Sequence, residues 1–397
     1  MDRIYLDNAA TSWPKPESVY QAIDYTQRVI GAPAGRGGYQ QVVEALRLVE
    51  QTRGAVARFI NAPNRRNIAF TFNGTDSLST AIFGLLKQGD HVVTSVVEHN
   101  SVLRPLRQLE SEGKIEVTYV GCDSEGVINE KEVADAIREN TRLVCLIHVS
   151  NVTGAIQPLD NIGALCKSKG ALADGSPTTV FLVDAAQSLG HIPIDVRALG
   201  CDILAAPGHK GLLGPLGTGI LFVSDAAAAA VKPLRFGGTG TDGSVEIQPT
   251  KTPDKFESGN VNVPGIAGVN AGIKFLTSDA GLAAHENWEL NSKLLLDGIV
   301  SIENVLLQGP KTTENRIGVF SVSIAGLDCH EASSILDSNF SVQTRSGLHC
   351  APLVHRSMGT EKEHGTLRLS VGLFNSKKQI EKAVEALEEL AKHARSM

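Results

Sequence analysis

Short apolar runs recur through the middle of this chain, at residues 68–72, 91–97, 142–149, 179–183, 202–205 and 219–223, each ending at a polar residue or a turn. Amphipathic stretches lie between them, among them 130–140 and 161–169. Buried strands alternating with helices predict an α/β fold: a mostly parallel central sheet with helices on both faces. Such sheets bind ligands at the carboxyl ends of their strands. After about Pro264 the alternation stops. A long helical stretch at 266–300 gives way to mixed strands and helices, then to an amphipathic helix at 377–396. The pattern predicts a large domain over residues 17–265 and a smaller C-terminal α+β domain over 266–397, with residues 1–16 packed on the latter. The alanine run 226–230 reads as a short helix.

Composition narrows the partners. Hydrophobic residues make up 42 % of the 397 and charged residues 20 %, which is material for an ordinary globular core. The net charge is −6, and the lysines and arginines are scattered, so no basic stripe offers itself to nucleic acid. The opening Met1-Asp2-Arg3-Ile4-Tyr5-Leu6-Asp7 lacks the apolar core of a secretory signal. No segment approaches the roughly 20 apolar residues of a membrane helix. The expectation is a cytoplasmic protein without a membrane partner. Of the six cysteines none is spaced Cys-x-x-Cys, and Cys145 and Cys201 sit in or beside apolar runs, where burial is expected. Histidines are not paired at metal-ligand spacing, so no metal is expected. No Gly-x-Gly-x-x-Gly follows a strand, and no Walker-type loop occurs.

The chemistry-bearing residues fall at strand ends. The run 68–72 leads into Asn73-Gly74-Thr75-Asp76-Ser77 and then helical sequence. That junction offers free N–H groups and a positive helix end to a phosphate. It also fits a plain N-cap by Thr75 or Asp76. Asp184 follows an apolar run directly, where a carboxylate can pair with a protonated pyridine nitrogen or cap a helix. Lys210, in Pro207-Gly208-His209-Lys210-Gly211, precedes a glycine-rich run to Gly219. Desolvation there would free its amine for Schiff-base chemistry, whereas a solvated hairpin would leave it inert. His99, Asn151 and Gln187 stand at or near further strand ends. His99 can stack on a flat ring and Asn151 can bond a ring hydroxyl. The order phosphate turn, histidine, asparagine, aspartate, lysine points to a pyridoxal 5′-phosphate (PLP) site.

With these blocks the sequence resembles the class V aminotransferase family of fold-type I PLP enzymes, and within it the cysteine desulfurases. The matching residues are Tyr5-Leu6-Asp7-Asn8-Ala9-Ala10-Thr11, Glu98-His99-Asn100-Ser101, His148-Val149-Ser150-Asn151, Val183-Asp184-Ala185-Ala186-Gln187 and Gly208-His209-Lys210. The resemblance spans essentially the whole chain. It implies that Lys210 holds PLP as a Schiff base and moves protons at the substrate α-carbon. It further implies that Asp184 pairs with the ring nitrogen, His99 stacks on the ring, and Asn151 and Gln187 contact the ring oxygen side. Gly74, Thr75 and His209, with Asp76 beside them, hold the phosphate. The other subunit of a homodimer completes the phosphate site through Gly259 and Asn260, in Glu257-Ser258-Gly259-Asn260. Asn260 stands where a threonine is usual and Pro207 where a serine is usual. Both changes remove a hydroxyl from the phosphate cup.

The stretch Arg345-Ser346-Gly347-Leu348-His349-Cys350-Ala351-Pro352 resembles the Arg-x-Gly-x-His-Cys-Ala motif of group II desulfurases and selenocysteine lyases. In that motif the cysteine accepts sulfur as a persulfide, and a nearby cation such as Arg345 favours its thiolate. Arg368, in Thr366-Leu367-Arg368-Leu369-Ser370, matches the arginine that grips the substrate carboxylate. Arg36 is a further candidate to reach the substrate. The implied activity converts L-cysteine to L-alanine with sulfur on Cys350, for onward transfer to a sulfur-acceptor protein. Selenocysteine lyase is the nearest alternative. A class V-fold epimerase or aminotransferase, or a non-catalytic PLP-binding scaffold for sulfur carriers, are the others.

Overall fold

The structure, a computed structural model, describes residues 3–169, 179–239, 244 and 246–395. The last residue of the expected C-terminal helix, Ser396, lies outside them. Strand β1 (Ile4–Tyr5) opens the chain, followed by helices α1 (Glu17–Tyr25) and α2 (Gln40–Phe59). Strands and helices then alternate: β2 (Ile68–Thr71), α3 (Gly74–Leu85), β3 (Asp90–Ser95), α4 (Asn100–Ser111), β4 (Ile115–Val120), α5 (Glu130–Ala136), β5 (Thr141–Ile147), α6 (Ile162–Lys169), β6 (Val180–Asp184), β7 (Ile203–Pro207), β8 (Gly219–Val223) and α7 (Asp225–Ala230). Helices α8 (Val263–Leu276) and α9 (Asp279–Ser301) lead into β9 (Val305–Gln308), β10 (Val319–Ile324), α10 (Cys329–Phe340), β11 (Val342–Gln343), β12 (Arg345–Gly347), α11 (Pro352–Ser357), β13 (Thr366–Ser370) and α12 (Lys377–Arg395).

Among the described residues the central sheet has seven strands in the order β2-β8-β7-β6-β5-β3-β4. Every pairing is parallel except those of β8, which runs against both β7 and β2. Two reversals cancel, so β2 points the same way as β7 and six strands end at one edge. β8 is reversed because β7 returns to it without a crossover helix, and parallel neighbours need one. Strand β4 was not among the expected strands. It is an edge strand whose middle residues are only partly buried, so Ile-Glu-Val-Thr-Tyr-Val alternates instead of running apolar.

Burial on both sheet faces explains the apolar runs. On β5, Val144 and Leu146 enter the core shared with α2 and α8, while Leu143 and Cys145 enter the core under α3 and α4. Cys145 and Cys201 are both buried, as their neighbours in sequence require.

The helical stretch expected at 266–300 is two helices. Ser278 caps α9 by accepting from Gly281 N, and a Cβ on Gly281 would lie 1.9 Å from Phe275 O, so the turn between the helices needs glycine at 281. Helix α8 places Val263, Ile266, Val269 and Ile273 in the core of the large sheet. Helix α9 places Trp288, Leu295 and Ile299 in a second core. Helix α8 thus packs with the large sheet and helix α9 with the second core. The second core lies under an antiparallel sheet, order β12-β13-β10-β9. Strand β1 pairs in parallel with β11, and Ile4 and Leu6 fill that core.

Candidate active site

At the carboxyl edge of the large sheet, where it faces the second unit, lies a cavity of ≈ 220 Å³. A wider groove of ≈ 1120 Å³ between α2 and α8 gathers no strand ends, so it lacks what concentrates chemistry in this architecture. The smaller cavity is lined by Gly74, Thr75, His99, Asn151, Asp184, Gln187, His209, Lys210, Arg345 and Arg368. Residues far apart in the chain meet here because six strands end at one edge.

The first contributors are two helix N-termini. The cap of α3 is Asn73, not Thr75 or Asp76: its side chain accepts from Asp76 N at 2.8 Å. Asp76 turns away from the cavity. Its carboxylate accepts from Phe72 N at 2.9 Å and pairs with Arg235. Thr75 Oγ1 is free to meet Ser101 Oγ at 2.7 Å, on the first turn of α4. His99 caps α4, its Nδ1 accepting from Ser101 N at 3.0 Å. Burial, reinforced by Lys210 and the nearby arginines, lowers the imidazole to about 4, so it is neutral. Pro207 packs against the turn: a Cβ on Gly74 would lie 3.0 Å from Pro207 Cδ.

Asp184 is buried at the end of β6, with Ala186 N donating to Oδ1 at 2.9 Å. Burial pushes its carboxyl up to about 6, against the pull of Ala186 N–H and Lys210. Lys210 sits on the turn after β7. Burial lowers its amine to about 8, opposed by Asp184 and helped by Arg368 and Arg345. About one amine in ten is then neutral at pH 7, far more than for a solvated lysine. The turn is braced by the N-terminal segment. The His209 carbonyl accepts from Ser12 N at 3.2 Å, Thr11 Oγ1 at 3.2 Å, Ser12 Oγ at 3.1 Å and Lys15 Nζ at 3.3 Å. Sequence reasoning missed Ser101 and this brace. Ser101 lies inside the block Glu98–Ser101, and its hydroxyl beside a helix start was the available signal.

Asn151 follows β5 and donates to His349 O at 2.7 Å, and Gln187 donates to Ala9 O at 3.0 Å. The opposite amide oxygens, Asn151 Oδ1 and Gln187 Oε1, are buried without partners among the described residues. Cys350 is exposed at the rim, with Arg345 Nη2 4.0 Å from its Sγ. His349 and Cys350 both have left-handed backbones, with φ of 49° and 59°. Two adjacent side-chain-bearing residues in that region hold stored strain, and the surroundings must impose it. Three clamps do so: Asn151 on the His349 carbonyl, Asn100 N on the Cys350 carbonyl at 2.7 Å, and His349 Nε2 against Thr366 Oγ1 at 3.0 Å.

Arg368 on β13 is 2 % exposed and donates to Asp7 Oδ1 at 2.8 Å and to Asn151 O at 3.0 Å. Arg36, Gly259 and Asn260 do not line this cavity and are exposed, Asn260 beside Phe72 and Arg235. Among the described residues no group of His, Cys, Asp or Glu could hold a metal ion, and no helix is long and apolar enough to cross a membrane.

The family description Aminotransferase class-V matches residues 4–383. A protein of Methanothermobacter thermautotrophicus described as a probable cysteine desulfurase is 35 % identical over 393 residues, covering 98 % of this chain and 95 % of its own. The apo structure of cysteine desulfurase from Thermococcus onnurineus is similar with a TM-score of 0.89 at 33 % identity, covering 98 % of this chain and 95 % of that one. The Escherichia coli cysteine desulfurase CsdA, in an S-sulfonic acid form, gives a TM-score of 0.83 at 26 % identity, with coverage of 98 % and 95 %.

Proposed function

The chain belongs to the class V aminotransferase family, and from that premise we propose that it is a PLP-dependent cysteine desulfurase whose Cys350 receives the sulfur. The observation that carries this reading is the pairing of a buried, weakly basic Lys210 in the cavity with an exposed thiol at its rim, beside Arg345.

The cavity's own atoms fit the cofactor. Buried polar atoms without partners are uncommon and call for an occupant. Among the described residues Asn151 Oδ1, Gln187 Oε1 and Arg368 Nε are three such atoms, on residues that line it. Asp184 would hold the proton of the ring nitrogen, and the neutral His99 would lie against the ring face. The N–H groups that open α3, with Thr75 and His209, would take the phosphate. When bound, PLP supplies an electron sink that loosens bonds at the substrate's α-carbon and its neighbour. Lys210 Nζ, neutral in a useful fraction at pH 7, takes the α-proton and returns it. Arg368 holds the substrate carboxylate. Cys350 Sγ attacks the substrate sulfur: an S–S bond forms, the Cβ–S bond breaks, and one thiol proton ends on the β-carbon. The products are L-alanine and a Cys350 persulfide. Exposure of Cys350 supports onward transfer to an acceptor protein. Gly259 and Asn260, exposed and off their own cavity, support completion of the phosphate site in a second copy of the chain.

Alanine formation from L-cysteine tests the reading, with L-selenocysteine run in parallel. Cys350→Ala is expected to keep the yellow colour of the holoenzyme and to lose alanine formation from L-cysteine. Undiminished alanine from the variant would remove Cys350 from the reaction. No alanine from the parent chain would remove the activity.

A further inference from the structure

Arg368 is a buried cation with two of its five N–H groups engaged. Nη1 donates to Asn151 O, Nη2 donates to Asp7 Oδ1, and Nε is buried with no partner. Arg345 stands directly opposite it across β12 and β13, so two like charges face each other. Among the described residues Asp7 is the one carboxylate in ion-pair reach of Arg368. Two guanidinium groups and one resident carboxylate leave a single positive charge at this wall.

Asp7 does not hang free. It bridges Ser370, two residues along the strand that carries Arg368. Ser370 N donates to Leu6 O at 2.7 Å, Ala9 N donates to Ser370 Oγ at 2.9 Å, and Asn8 Nδ2 donates to Ser370 O at 3.1 Å. The N-terminal segment is therefore tied to β13, which holds the Asp7 backbone beside Arg368.

We infer that Asp7 is a positioning residue for substrate binding: it pins one side of the Arg368 guanidinium on the cavity wall and leaves one positive charge for one carboxylate. The inference rests on reading the cavity as an amino-acid site. It makes the first residues of the chain part of the substrate clamp.

Calorimetric titration of the holoenzyme with L-alanine and with L-alanine methyl ester tests it, because only the first carries the carboxylate. Asp7→Ala is expected to weaken L-alanine about tenfold, as loss of one charge-assisted hydrogen bond does. Asp7→Asn keeps the acceptor and the side-chain volume, and is expected to weaken it about threefold. Neither should weaken the ester by more than about twofold. Unchanged or tighter L-alanine binding in both variants overturns the inference. An equal loss with acid and ester also overturns it, since that is the mark of a folding role alone. A parent enzyme that binds L-alanine yet forms none from L-cysteine sinks the desulfurase reading and leaves the Asp7 result standing. A parent that ignores L-alanine sinks both.

Discussion

Glu98 is fully buried one residue before His99, where Ser95 Oγ donates to its Oε1 at 2.6 Å and Ile147 N at 3.1 Å. Its Oε2 has no partner and no cation pairs with it among the described residues. Burial, against those two hydrogen bonds, pushes the carboxyl up to about 8. The unfolded chain ionises this group near the ordinary glutamate value, while the fold keeps it protonated. Folding thus takes up a proton between about pH 4.5 and 8, and stability falls as pH rises through that window. Glutamine has no such proton. Glu98→Gln is expected to gain stability over the parent as pH rises, on the order of 2–3 kcal/mol by pH 7. Urea unfolding at about pH 5 and pH 8 measures it. A gain that does not grow with pH would mean the carboxylate is ionised in the fold. Asp184 was legible because it ends an apolar run, and His99 and Lys210 because each follows one within a few residues. Glu98 was visible as a letter but not as a buried acid, since burial depends on what strand β5 brings against it.

Among the elements, the loop after β5 and the segment before β10 are bound to each other. Ile317 N donates to Gly154 O at 3.0 Å, and Ile156 N donates to Asn315 O at 2.9 Å. The buried Arg316 donates to Thr153 O at 2.7 Å and Val319 O at 2.6 Å, and also to Pro310 O. This clamp ties the Asn151 loop to the smaller unit. Gly154 has φ +73°, and a Cβ there would lie 2.5 Å from Val319 O. Gly154→Ala is expected to cost about 2–4 kcal/mol through strain and lost clamping. Gly38→Ala, where nothing lies within 4 Å, should stay within about 0.5 kcal/mol. A shared urea midpoint for parent and Gly154→Ala would mean the two segments are not held together. The strands of the large sheet were readable as elements because each is buried on both faces. Strand β4 and the break between α8 and α9 were not. An edge strand carries polar residues, and the break is a close turn capped by Ser278 and permitted by Gly281.

For the whole molecule, several large apolar side chains remain uncovered near the exposed Gly259 and Asn260 stretch. Phe236 is 72 % exposed and Ile247 77 %, while Phe72 and Asn260 border the same pocket. Exposed apolar surface of this kind fits the proposed contact with a second copy of the chain. Sedimentation equilibrium is expected to give twice the 42.1 kDa chain. Mutating Asn260 to aspartate should weaken PLP retention by placing a second anion against the phosphate. A monomer of undiminished PLP content would refute the shared site. The sequence by itself determined most of the large sheet and most of the side chains that gather at the carboxyl ends of its strands. It could do so because a strand buried on both faces must be apolar until it leaves the sheet, and the first polar residue beyond marks the edge. Only the tertiary structure decided that Asp76 turns outward to Arg235 while Asn73 caps the helix. The same is true of the left-handed backbone at Cys350, held from three separate elements, and of Asp7 gripping an arginine far along the chain. These depend on contacts between segments distant in sequence, whose partners no local pattern encodes.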